Sequence, residues 1–289
     1  MPGKDVMFIT RFCAALAITS LAACVQAPQP VSSLPSGAKY VAMGSSFAAG
    51  PGIPDYYEAT PAPCYRSTQN YAHQLAARLK LDLTDVSCSG ATTAHLTGPR
   101  GAVPPQLDAL TSDTRLVTLT IGGNDLGYIG GLTNASCAGL MAETGIEANC
   151  APMIAPPAEK TFADLAARLD AIAKEIRRRA PQAQLVFVDY LAVLPEAGTC
   201  PAAPLDAVQA DGARYTASRL AEITRTVAGQ NNASIIAASE LSKAHNACSA
   251  DPWMHGYPRP GVPVAGALYH PNAKGMTAVA DALEKLLAD

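Results

Sequence analysis

The stretch Lys39-Tyr-Val-Ala-Met-Gly-Ser-Ser-Phe-Ala-Ala-Gly-Pro-Gly52 decides the fold. An apolar run breaks off at Gly44-Ser45-Ser46, and a loop rich in Ala, Gly and Pro follows. A buried first strand of an α/β protein delivers a hydroxyl to the carboxyl edge of its sheet in this way, and sites form at that edge. Taken alone, Gly-Ser-Ser after a strand is more often a plain turn, so the rest of the chain must decide.

Strands and helices alternate downstream. Lys39–Met43 reads as the first strand, Leu81–Val86 as the second and Leu116–Ile121 as the third. The third barely alternates in polarity, as expected of a strand buried on both faces. Gln184–Tyr190 and Ser234–Ala238 complete the set. Asn70–Leu79 carries an apolar face of Tyr71, Leu75 and Leu79. Thr161–Ala180 is the clearest helix, with Phe162, Leu165, Leu169, Ile172 and Ile176 in one stripe. Thr161 is its expected cap, and Arg177, Arg178 and Arg179 suit the negative end of its dipole. Residues 206–228 form a further helix ending at Gly229, and Pro271–Ala288 the last. The segment 126–160, with Gly, Pro, Cys137 and Cys150, reads as an insertion. Such alternation implies right-handed crossovers and a parallel sheet with helices on both faces, a three-layer α/β sandwich in one domain, 39–289.

The chain has 289 residues, 49% of them apolar and 16% charged, with a formal charge of −3. It lacks the basic balance that nucleic-acid binding requires. Residues 1–23 read as a signal peptide: Arg11 precedes the apolar run Phe12–Ala23, which is too short to span a bilayer. The run ends in Leu21-Ala22-Ala23-Cys24, which resembles the lipobox of bacterial lipoproteins. That resemblance implies lipidation at Cys24 and a membrane anchor; the alternative is a plain secretory signal. Residues 24–38, rich in Pro and Ser, read as a tether. Either way the protein is expected to be exported to the cell envelope or beyond, as a monomer. Six cysteines remain, an even number that argues for disulfides in an oxidising compartment. No paired C-x-x-C and no His near two cysteines suggests a metal site, so neither metal nor cofactor is expected.

Four segments stand at strand ends or at a helix start, each holding small residues around a polar group. They are Gly44-Ser45-Ser46-Phe47, Ser89-Gly90-Ala91-Thr92, Gly122-Gly123-Asn124-Asp125 and Tyr269-His270-Pro271-Asn272-Ala273-Lys274-Gly275. The first three must open on one edge of a parallel sheet. A hydroxyl, an N–H beside a glycine, a side-chain amide and an imidazole can therefore converge. Acyl transfer needs that set: a base to activate the hydroxyl, and fixed donors for the tetrahedral oxyanion, each worth on the order of 3 kcal/mol.

The four segments, in this order, resemble the four blocks of the SGNH (GDSL-type) hydrolases over about Tyr40 to Leu287, closest to the secreted, disulfide-bonded bacterial esterases and lipases. The resemblance implies Ser46 as nucleophile and His270 as base and acid. It also implies an oxyanion hole of the Ser46 and Gly90 N–H groups and the Asn124 side chain. The expected activity is hydrolysis of carboxylic esters through an acyl-serine. The runner-up is an O-acetylesterase acting on carbohydrate, and a non-catalytic lipid- or glycan-binding lipoprotein is the reading from another class. Two departures stand out. Ser45 occupies the position where the family has Asp. Ala267 occupies the position of the triad Asp, three residues before the His, so its carbonyl is expected to orient the imidazole, with Asp251 as a distant substitute. His255 is the rival base; His73, His95 and His245 read as packing or surface residues. Trp253 reads as loop packing ahead of a pocket wall. The family's flavodoxin-like strand order, 2-1-3-4-5, implies disulfides Cys64–Cys88, Cys137–Cys150 and Cys200–Cys248.

Overall fold

A computed structural model describes residues 34–56, 61–147, 149–152, 155–261 and 266–288, together with Met1. The expected leader, Cys24 and the tether as far as residue 33 lie outside those residues. Residues 34–38, assigned to the tether by composition, already fold against the domain: the Gly37 N–H donates to the Lys80 carbonyl at 2.8 Å.

Five parallel strands run in the order β2-β1-β3-β4-β5: β1 Lys39–Gly44, β2 Asp82–Asp85, β3 Thr114–Thr120, β4 Gln184–Val188 and β5 Ser234–Ile236. Every residue of β1 after Lys39 is buried, and so is every residue of β3 except Arg115. Two central strands sandwiched by helices have no wet face, so polarity need not alternate along them. The order reverses between β1 and β3, where Gly44 sits opposite Thr120. A reversal of this kind opens a crevice at the strands' carboxyl ends.

The helices are α1 Ser46–Ala49, α2 Tyr71–Leu79, α3 Ala94–Thr97, α4 Tyr128–Thr144, α5 Glu159–Arg179, α6 Ala207–Gln230, α7 Ala238–Leu241 and α8 Ala273–Ala288. Helix α2 packs on α8, and α5 packs on α6, which also touches α4. Because the chain steps one way from β1 to β2 and the other way from β3 to β5, right-handed crossovers put these groups on opposite faces.

Three local expectations are corrected. The insertion 126–160 contains α4, whose buried Tyr128, Leu132, Ala135 and Ser136 share one face. Gly130, Gly131 and the nearly uniform apolarity of this stretch hid the 3.6-residue period. Helix α5 starts earlier than Thr161: Ala158 sits at its N-cap without a side-chain bond, and Glu159 supplies the acidic first turn. Helix α6 continues through Gly229 to Gln230. Asp206 caps its start in a capping box with Gln209.

Disulfides join Cys64 to Cys88, Cys137 to Cys150 and Cys200 to Cys248. The first ties the loop after β1 to the loop after β2, and the third ties the loop after β4 to the segment after α7. Among the described residues, no helix is long and apolar enough to cross a membrane.

Candidate active site

The first loop is shaped by a close approach of backbones. Gly44 has φ of +139°, and a Cβ there would collide with the Thr120 carbonyl. Only glycine lets β1 end this close to β3. The buried Gln106 amide grips the same residue: the Gly44 N–H donates to Oε1 at 2.7 Å, and Nε2 donates to the Gly44 carbonyl at 2.9 Å. The chain then turns into α1 with Ser46 as its first residue, so the Ser46 N–H is among the amides that a helix start leaves without an intrahelical partner.

His270 enters from the segment before α8. Its Nε2 lies 2.7 Å from Ser46 Oγ, and its Nδ1 lies 2.7 Å from the Leu268 carbonyl. A carbonyl only accepts, so the proton belongs on Nδ1 and the Nε2 lone pair faces the Ser46 hydroxyl. Burial pushes the His270 pKa down to about 4; the Leu268 carbonyl opposes that shift, and nearby His255 adds to it.

The orienting carbonyl is therefore Leu268, not Ala267. The Ala267 carbonyl accepts the backbone N–H of His270 instead, at 3.2 Å. Tyr269 explains the difference. With φ of +56° it turns the chain between the two carbonyls, and its buried ring is held by a 2.5 Å hydroxyl bond to Ser136 of α4. Asp251 is engaged elsewhere, with Lys274 and His245. The His255 N–H donates to the His270 carbonyl at 2.9 Å, and its ring packs against Gly266. His73 sits 3.6 Å from Asp85, and His95 Nδ1 accepts the Thr92 N–H at 2.9 Å. Trp253 stacks on His245, with centroids 3.9 Å apart, which makes it loop packing.

Gly90 and Asn124 stand on the two neighbouring loops. The Cys88 N–H donates to the Gly44 carbonyl at 3.0 Å, anchoring the Gly90 loop beside the serine turn. Gly90 has φ of +79°, and a Cβ there would press on the Arg100 guanidinium. Asn124 Nδ2 donates one hydrogen to the Ala91 carbonyl at 2.8 Å. An amide nitrogen has two, so one remains for an oxyanion. Asp125 accepts the Thr93 N–H and hydroxyl, joining the second and third loops again.

Two contributors were missed from the sequence, Gln106 and Tyr190. The Tyr190 hydroxyl lies 3.0 Å from Ser45 Oγ and accepts the Gly123 N–H at 2.9 Å. With Ser45 in place of Asp, this phenol joins the serine turn to the Asn124 loop. Its burial pushes its pKa up to about 12, so it stays a neutral donor and acceptor. Its position just past β4, at the same sheet edge as the other loops, was the available signal. Tyr190→Phe leaves the Gly123 N–H without its partner. The variant is expected to lose about 1–3 kcal/mol in denaturant unfolding and to lower kcat more than it raises KM.

A hydroxyl hydrogen-bonded to an imidazole, beside loops with amide donors, is an arrangement suited to acyl transfer. Residues 42–278 match the GDSL-like Lipase/Acylhydrolase family, and the chain belongs to that family. Lipase 2 of Streptomyces coelicolor is 33% identical over 271 residues, covering 84% of this chain and 83% of that protein. The phospholipase A1 of Streptomyces albidoflavus superposes with a TM-score of 0.68 at 26% identity, covering 88% of this chain and 99% of that one. The extracellular lipase of Streptomyces rimosus gives 0.65 at 27%, covering 87% and 99%. The protein is an ester hydrolase of this lipase and esterase family. Among the described residues, no group of three or more His, Cys, Asp or Glu could hold a metal ion.

Proposed function

We propose that the protein cleaves carboxylic esters of lipids through an acyl-serine formed on Ser46, with His270 oriented by the Leu268 carbonyl in a Ser–His dyad. The observation that carries this reading is the pair of 2.7 Å contacts on the two nitrogens of one imidazole. His270 Nε2 takes the Ser46 proton as Oγ attacks the ester carbonyl carbon. The oxyanion is held by the N–H groups of Ser46 and Gly90 and by Asn124 Nδ2. On collapse, the Nε2 proton goes to the leaving alkoxide, which departs as the alcohol. Water, deprotonated by Nε2, then attacks the acyl-serine; the acid leaves, and the proton returns to Ser46 Oγ.

The test is covalent. A fluorophosphonate should add once per chain, and peptide mapping should place the adduct on Ser46. No adduct on folded protein would favour a non-catalytic binder of the same fold, and an adduct elsewhere would move the nucleophile to that residue. The depressed pKa of His270 adds a second expectation. The neutral base persists below pH 6.5, so kcat/KM should hold down to about pH 5 and fall through an acid limb near 4. A limb at 6.5 would mean that the base is solvated in the working enzyme.

Three disulfides and the name of the extracellular Streptomyces relative support export. Lipid attachment at Cys24 is the finer proposal; mass spectrometry of the N-terminal peptide from the producing cell decides it.

A further inference from the structure

Arg100 carries a charge that no acidic partner answers. Arg78, Arg179 and Arg259 each pair with carboxylates, whereas among the described residues no carboxylate pairs with Arg100. Among those residues its guanidinium has one hydrogen bond, from Nη1 to Cys88 Sγ at 3.3 Å. A disulfide sulfur is a weak, neutral acceptor, so this bond holds the group without cancelling its charge. The acidic residue of the neighbouring loop, Asp125, is itself taken up by Thr93 and Arg168.

The chain delivers this charge to Gly90. A Cβ on residue 90 would lie 2.7 Å from Arg100 Nη2 and 3.5 Å from Cζ, so the guanidinium fills the space that the missing side chain leaves. Position 90 therefore needs glycine twice over, for its φ of +79° and for the group packed on it. The turn that carries the guanidinium is fixed at its base. Arg100 and Val103 exchange both backbone hydrogen bonds, at 2.9 and 3.1 Å, around Gly101 at φ of +61°, and Val103 is buried. The other end of the contact, Cys88, is tied by its own N–H to the Gly44 carbonyl beside the serine turn.

We propose that Arg100 is a positioning residue of the oxyanion hole: its guanidinium packs on Gly90 and sets an unneutralised positive charge beside the amide that faces the oxyanion. This inference rests on the assignment of Ser46 and of the Gly90 N–H above, and it goes beyond them to a residue that acts through Gly90 and through its field. The ester is neutral in the ground state and gains its negative charge only as the carbonyl carbon becomes tetrahedral. A fixed cation one residue away from a donor therefore lowers the barrier and leaves substrate binding nearly unchanged. Gly90 is exposed and Arg100 only part-buried, so solvent weakens the field and the effect falls short of that of a direct donor.

Three substitutions separate charge from packing. Arg100→Met keeps most of the bulk, Arg100→Gln keeps an amide donor, and Arg100→Lys keeps the charge without the planar fork. Each is assayed for kcat and KM on p-nitrophenyl butyrate, for binding of butylboronic acid and for unfolding in denaturant. The boronic acid accepts Ser46 Oγ on boron, the hydroxyl proton passes to His270 Nε2, and the adduct is a tetrahedral anion. Arg100→Met and Arg100→Gln should each lose about tenfold in kcat and about tenfold in boronic acid affinity, with KM within about twofold; Arg100→Lys should stay within about threefold of the wild type in both. Losses that track unfolding, or an Arg100→Lys enzyme no better than Arg100→Met, would make the residue a strut of its turn and overturn the proposal. A loss confined to KM, or seen only on p-nitrophenyl hemiglutarate with its own carboxylate, would overturn it too, because Arg100 would then read the substrate. Asn124→Ala separates this proposal from the site beneath it. If Asn124→Ala loses boronic acid affinity and Arg100→Met does not, the hole stands and Arg100 has no part in it. A wild type that takes neither the boronic acid nor a fluorophosphonate would instead overturn the reading of Ser46.

Discussion

Ser46→Ala, His270→Ala and the double variant are expected to fall to one shared residual activity, about 10⁴- to 10⁶-fold below the wild type in kcat. Groups that act as a unit are not additive: once the proton cannot leave Ser46 Oγ, removing the oxygen as well costs little more. The range lies at or below that measured for a full serine triad because the intact site starts lower. A carbonyl fixes the tautomer of His270, yet it stabilises the imidazolium less than a carboxylate would. In the proposed dyad the Leu268 oxygen, at 2.7 Å, orients the base and leaves burial free to hold its pKa near 4. A neutral base at nearly every pH of interest is the gain; weaker proton affinity in the transition state is the cost. Single-turnover and steady-state assays of the three variants check this. A double variant whose loss is the product of the two singles would show that they act in separate steps. Retention of more than a tenth of activity in His270→Ala would move the base to another group, with His255 the first to test.

The strand ends were legible because each carries a small residue followed by a polar one, a pattern set by local backbone needs. Gly44 must be glycine because of Thr120, and Ser46 follows it wherever the strand ends. The helical stripe of α5 was legible for the same reason, since a 3.6-residue period is local. What could not be read depends on contacts across the chain. Gln106 meets Gly44 over 62 residues, and Tyr190 meets Ser45 over 145, with no spacing rule to connect them. The orienting carbonyl was misplaced by one residue because a family spacing does not report dihedral angles. Tyr269 in the left-handed region redirects the chain, and the Ser136 hydroxyl that holds it lies on a helix the sequence did not announce. Helix α4 was hidden because its apolar residues surround it, so no contrast marks a face, and two glycines suggested a loop.

Asn124→Ala is expected to lower kcat by about 100- to 1,000-fold with KM little changed, equivalent to about 2.7–4 kcal/mol of barrier. The ground-state ester carbonyl needs no third donor, whereas the oxyanion does, so the loss belongs in kcat. The same substitution removes the 2.8 Å bond to the Ala91 carbonyl, which joins the Gly90 and Asn124 loops. That bond should contribute about 0.5–1.5 kcal/mol to unfolding, less than the kinetic effect. The two consequences are separable by comparing kcat with denaturant unfolding on the same preparation. Asn124→Asp sharpens the comparison, because a carboxylate keeps the shape, gives up both hydrogens and sets a negative charge where another develops. It should therefore be slower than the alanine variant. If Asn124→Asp proves no slower than Asn124→Ala, the side chain gives the oxyanion nothing, and the oxyanion depends on the Ser46 and Gly90 amides alone.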